Sequence, residues 1–147
     1  MSTLHFDTLL PRTEQAGIYH MPGAAELALS DAAEGLAYPL HRIDLSGVSD
    51  KAGFLDAIAK ALKFPGWFGH NWDALSDCLC DLSWMPANGY VLVLEHADAF
   101  AAGAPADFTT ALSVLQGTAD NWREQGVPFW TLVGMAADGI AWLPDLN

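Results

Sequence analysis

Tyr90-Val-Leu-Val-Leu94 is an unbroken apolar run set between Asn88-Gly89 and Glu95. A short run of this kind, closed by turn residues and rich in β-branched side chains, predicts a strand covered on both faces, the setting of a central strand in a parallel sheet. Upstream, Pro39-Leu-His-Arg-Ile-Asp-Leu45 alternates as a half-buried strand does and stops at Ser46-Gly47. Downstream, Pro128-Phe-Trp-Thr-Leu-Val133 is a second apolar run.

Helices fill the intervals. Ser49 is placed to cap a helix whose Phe54, Leu55, Ile58 and Leu62 share a face, closed by Pro65-Gly66. Asn71 opens a second, in which Trp72, Leu75, Leu79 and Leu82 recur at three-and-four spacing as a buried stripe. After a loop holding Gly103 and Pro105, Phe108, Leu112, Leu115, Ala119 and Trp122 mark a long amphipathic helix ended by Gly126. Strand, two helices, strand, helix, strand is the order of an α/β fold with a small three-stranded parallel sheet. Short edge strands could be added at Gly17-Ile18-Tyr19-His20 and, after an Asp138-Gly139 turn, at Ile140 to Trp142. Residues 1–37 otherwise lack a sustained period, apart from a helical stretch from about Ala24 to Glu34 with Leu27 and Leu29 among alanines and Gly35 as C-cap.

The 147 residues suit one domain, and 52% hydrophobic against 16% charged residues excludes general disorder. Six Lys+Arg against 18 Asp+Glu give a net charge of -12. That balance opposes direct contact with nucleic acid or an anionic membrane and favours a cationic partner. No basic, apolar leader opens the chain, and no stretch reaches the roughly 20 apolar residues of a spanning helix, so a soluble, cytoplasmic protein is expected. Cys78 and Cys80 stand two apart, where a mutual disulfide is implausible and a zinc site lacks thiols. Both read as small hydrophobes.

The candidate chemistry lies in Phe64-Pro-Gly-Trp-Phe-Gly-His-Asn-Trp-Asp-Ala-Leu-Ser-Asp-Cys-Leu79. Asp73, Asp77 and Asp81 fall four apart, which stacks carboxylates into one ridge beside the apolar stripe. Like charges at that spacing repel, and only Asp73 is near enough to the helix start to be helped by its dipole. Between Lys63 and Arg123 there is no Lys or Arg to pair with them. The plain alternative is an ordinary solvated face of an acidic protein. Trp67 and Phe68, in a Pro-Gly…Gly loop, tilt the reading toward binding, because aromatics beside charges compose interface hot spots. One of the two rings, Phe68, is expected to fold back into the core. Among the other tryptophans, Trp72, Trp122 and Trp130 read as core, with Trp84 and Trp142 undecided.

This segment resembles the signature of the barstar family, intracellular inhibitors of barnase-type ribonucleases: an aromatic loop, Gly, any residue, Asn, then an acidic helix beginning Asp-Ala-Leu. Val91-Leu-Val-Leu-Glu95, the long helix and the last strand follow the family's order, so the resemblance spans about residues 38–134. It implies a three-layer barstar-like domain over 38–147, with residues 1–37 as an extension packed on or beside it. By position, Asp77 matches the family's principal inhibitory aspartate, which enters the nuclease's phosphate-binding pocket. Asp73 matches a second acidic contact, Trp67 and Asn71 match loop contacts, and Glu95 matches a contributing acid; Phe68, Gly69, His70 and Asp81 complete the candidate contact set. His70 stands where the type member has an acid, the connection from Leu82 to Tyr90 is longer, and the first 37 residues have no counterpart.

The resemblance implies a monomeric inhibitor of a basic ribonuclease, without catalytic residues, cofactor or metal. Two other classes stay open: a barstar-like module for a different toxin or regulator, and a carboxylate- or metal-dependent enzyme in which His70 and Asp73 would act with Asp77, Glu95 or His96.

Overall fold

The computed structural model describes residues 6–21, 26–66 and 68–134. The elements are α1 (Phe6–Leu9), β1 (Ile18–His20), α2 (Glu26–Leu36), β2 (Leu40–Asp44), α3 (Lys51–Leu62), α4 (Trp72–Asp81), β3 (Tyr90–Glu95), α5 (Asp98–Gly103), α6 (Pro105–Glu124) and β4 (Phe129–Val133), with a 3-10 turn at Thr13–Gln15. Among the described residues the sheet is wholly parallel with strand order β1-β4-β3-β2. They form four strands rather than three: the possible N-terminal edge strand forms and pairs with β4 through Ile18–Thr131 and His20–Val133. The C-terminal return through Ile140 and Trp142 lies outside the described residues.

Alternation along the two inner strands divides the core. Tyr90, Leu92 and Leu94 of β3, with Phe129 and Val133 of β4, join Phe54, Ile58, Leu75, Leu79, Phe108 and Leu115 from α3, α4 and α6. Val91 and Val93, with Trp130 and Leu132, face the other way, where Phe6, Leu9, Leu10, Leu29 and Ala33 cover them. Both faces of the apolar runs are dry, which is why those runs lack polar alternation. Among the described residues, those before β2 supply most of the second layer, and the Trp130 indole donates to the Leu10 carbonyl at 2.9 Å, fixing α1 against the sheet. Arg123 of α6 clamps the same segment by donating to the carbonyls of Thr13 and Ala16.

Several local expectations are corrected. The α3 cap is Asp50, whose carboxylate accepts from Gly53 N–H at 2.8 Å; Ser49 falls one residue short. That helix ends before Pro65-Gly66, with Lys63 in the left-handed region at φ 54. α2 runs through Gly35 to Leu36, and Ala37 takes the positive φ instead. Leu29 is buried, but Leu27 is 74% exposed. The loop with Gly103 contains α5, whose Phe100 stacks on Phe54 at 5.1 Å. Trp72 is half-buried rather than core, whereas Trp122 and Trp130 are core as expected. No helix among the described residues is long and apolar enough to cross a membrane.

Candidate functional site

α4 is seated through its apolar stripe. Leu75, Cys78 and Leu79 are buried against the first core layer. The Trp122 indole donates at 2.8 Å to the Leu79 carbonyl, one of the orphan acceptors in the last turn of α4. At the other end Asn71 is the N-cap, as its position predicts. Its side-chain oxygen accepts from Ala74 N–H at 2.8 Å while its amide nitrogen donates to the Gly69 carbonyl at 3.3 Å. One residue thereby sets both the helix start and the loop before it.

The loop is anchored by rings. Phe68 is 7% exposed and meets Phe64 edge-on at 4.9 Å, so its side chain is the expected core plug and not a surface contact. Trp84 packs on Phe64 at 5.9 Å and donates to the Leu62 carbonyl at 3.1 Å, which settles its undecided status as a half-buried brace. Trp72 lies 6.0 Å from Phe54, and Lys51 Nζ sits 5.5 Å over the Trp72 ring. Gly69 and His70 are exposed on this framework. Trp67 lies outside the described residues, as does Trp142.

With its apolar side fixed inward, α4 presents Asp73, Asp77 and Asp81 to solvent. Asp81 accepts from the Ser83 hydroxyl at 3.0 Å. Among the described residues no cation pairs with any of the three: Arg42 is engaged with Glu26 and Glu95, Arg123 with Asp120, and His70 with Asp56. The ridge is therefore an uncompensated anionic surface on a rigid helix. Its field reaches inward, since burial first and the Asp77 and Asp81 carboxylates next hold the Cys78 thiol above its ordinary range. Cys80 is only half-buried; burial is again the first cause raising its thiol, opposed by hydrogen bonds with Ser76 and Thr118.

Glu95 is placed differently. It ends β3 opposite Asp44 of β2, and its side chain is 29% exposed. Its ionic neighbours are Arg42 at 3.8 Å, Glu26 of α2 and His96, and none belongs to α4. Burial, then a hydrogen bond with the Glu26 carboxyl, raise its carboxyl above the ordinary range despite Arg42. The participation of Glu26 escaped the sequence reading because nothing local signals a pairing between the first turn of α2 and the end of β3. Among the described residues no group of His, Cys, Asp and Glu is arranged to hold a metal ion, so His70 and Asp73 do not assemble one with Asp77, Glu95 or His96.

The described residues thus place an acidic helix, following a ring-anchored loop, on one side of a parallel α/β sheet covered on both faces. The family model of Barstar (barnase inhibitor) matches residues 38–134, and the chain belongs to that family. No curated protein matches the chain.

Proposed function

We propose that this protein inhibits a basic ribonuclease by docking α4 in the nuclease's active site, where the carboxylates take the place of RNA phosphates. One observation carries the reading: Asp73, Asp77 and Asp81 stand exposed, with no cation paired to them among the described residues, on a helix held by its apolar side, in a chain of an inhibitor family. A ribonuclease grips polyanion through Arg, Lys and His, and those groups meet carboxylates with charge-assisted hydrogen bonds. Asp77, central in the ridge, is the plug. Asp73 and Asp81 extend the anionic strip, and Trp67, Gly69, His70 and Asn71 form the rim. The protein acts without catalysing a reaction, as a cytoplasmic monomer.

The net charge of -12 speeds encounter with a cationic partner and makes the rate sensitive to salt. Titration against a catalytically disabled barnase-type nuclease at two salt concentrations tests the proposal. One-to-one binding whose association rate falls with added salt is expected; no binding by the folded protein refutes it for that nuclease class.

A further inference from the structure

His70 adopts a left-handed backbone, φ 52, between the ring-anchored half of the loop and the α4 cap. Its ring lies 4.7 Å from that of Phe68. Nδ1 is 3.2 Å from the Phe68 carbonyl oxygen and Nε2 is 3.3 Å from Oδ1 of Asp56 on α3. Both ring nitrogens thus face oxygen acceptors that carry no hydrogen. A neutral imidazole has one N–H and can donate to only one of them, leaving its other lone pair against an oxygen lone pair. The imidazolium donates to both. The other charged groups on the flanking elements are Asp50, Lys51, Lys60 and Lys63 on and around α3, and Asp73, Asp77 and Asp81 on α4; Asp56 is the ionic group in contact with the ring.

We infer that Asp56 is a positioning residue for the contact loop: through its contact with the His70 ring it ties residues 68–71 to α3. The inference rests on the proposed role of that loop in nuclease binding. Neither Asp56 nor the contact was part of the candidate set. The pair is solvent-exposed, with side chains at 58% and 61%, so the brace is weak and acts on the loop rather than on global stability.

Millisecond hydrogen exchange read by mass spectrometry, corrected for intrinsic rates, tests the brace in the free protein. At one fixed pH, Asp56→Ala and His70→Gln should each lower protection of residues 68–71 roughly two- to fivefold, and Asp56→Glu should restore it, with exchange in β3 and β4 unchanged throughout. Wild-type protection of the loop in Asp56→Ala, or no rescue by Asp56→Glu, overturns the brace. Affinity for the disabled nuclease separates the two readings. Asp56→Ala should weaken binding roughly two- to fivefold and Asp56→Glu should restore it. Unchanged affinity in Asp56→Ala would overturn the positioning role, whereas a protein whose variants show the exchange effect but whose wild type never binds would overturn the nuclease reading instead.

Discussion

Replacing Asp77 by Ala should move stability and binding in opposite directions. Asp77 is exposed in mid-helix, one turn from Asp73 and one from Asp81, with no ion-pair partner among the described residues. Removing it relieves two like-charge contacts of roughly 0.2–0.5 kcal/mol each and gains up to about 0.7 kcal/mol of helix propensity. The free protein is then more stable by about 0.4–1.7 kcal/mol, a rise in Tm of about 1–7 °C for a chain of this length. In the complex the same change leaves buried cations of the nuclease unpaired, at a cost of about 2–5 kcal/mol, which weakens binding about 30-fold to about 5000-fold, mainly through faster dissociation. Calorimetric melting of the free variant and stopped-flow kinetics with the disabled nuclease read the two arms. Affinity within about threefold of wild type would refute the plug assignment. A lowered Tm would refute the reasoning about the ridge, because Asp77 would then have a stabilising role in the fold. Asp73 supplies the contrast: it lies in the first turn, where the helix dipole favours a carboxylate, so Asp73→Ala should show no comparable rise in Tm.

The other expectations concern the fold around the site. Trp130→Phe removes the donor to the Leu10 carbonyl across a buried contact and should cost about 1–3 kcal/mol, seen as a lower urea midpoint at unchanged slope. Because Trp130 lies on the sheet face opposite α4, nuclease affinity of the folded variant should stay at the wild-type value. Glu95→Gln tests the carboxyl that burial and Glu26 hold above its ordinary range. A raised folded-state value favours the fold while the group is protonated and is lost as pH rises through that value, so the variant should gain stability over wild type from about pH 4 upward. A variant less stable than wild type at neutral pH would mean that the Arg42 interaction outweighs both raising causes.

What the sequence disclosed tracks the range of the interactions involved. The five apolar residues of β3 bury fully, and the Asn71 cap and the four-residue spacing of α4 form as read, since each is written in neighbouring positions. α1 and α5 span only one turn or slightly more, too short for a period to repeat, so their Phe6 and Phe100 anchors carried no signal. Ser49 and Asp50 are both good caps side by side, and only the backbone decided between them. The Glu26–Arg42–Glu95 grouping and the Asp56–His70 contact join segments distant in the chain, and composition cannot specify such pairings.

The two sheet faces also separate the roles of the chain's two parts. The family match begins at residue 38, yet Val91, Val93, Trp130 and Leu132 inside it are covered mainly by residues 6–36 among the described residues. These residues oppose the layer that seats α4, so a nuclease docked on the acidic ridge meets the other side of the sheet. Among the described residues, the extension reaches the ionic groups of the sheet at the end of β2 and β3, where Glu26 binds Arg42 and shares the surroundings of Glu95. Arg42 lies beside Glu95 there, whereas no cation among the described residues pairs with the acids of α4, so the uncompensated anionic surface is centred on α4 and weakens toward Glu95. If that account holds, Glu26→Gln, which frees Arg42 to pair with Glu95 alone, should leave binding through Asp77 intact while shifting any contribution of Glu95, and a double-mutant cycle between the two positions measures that coupling.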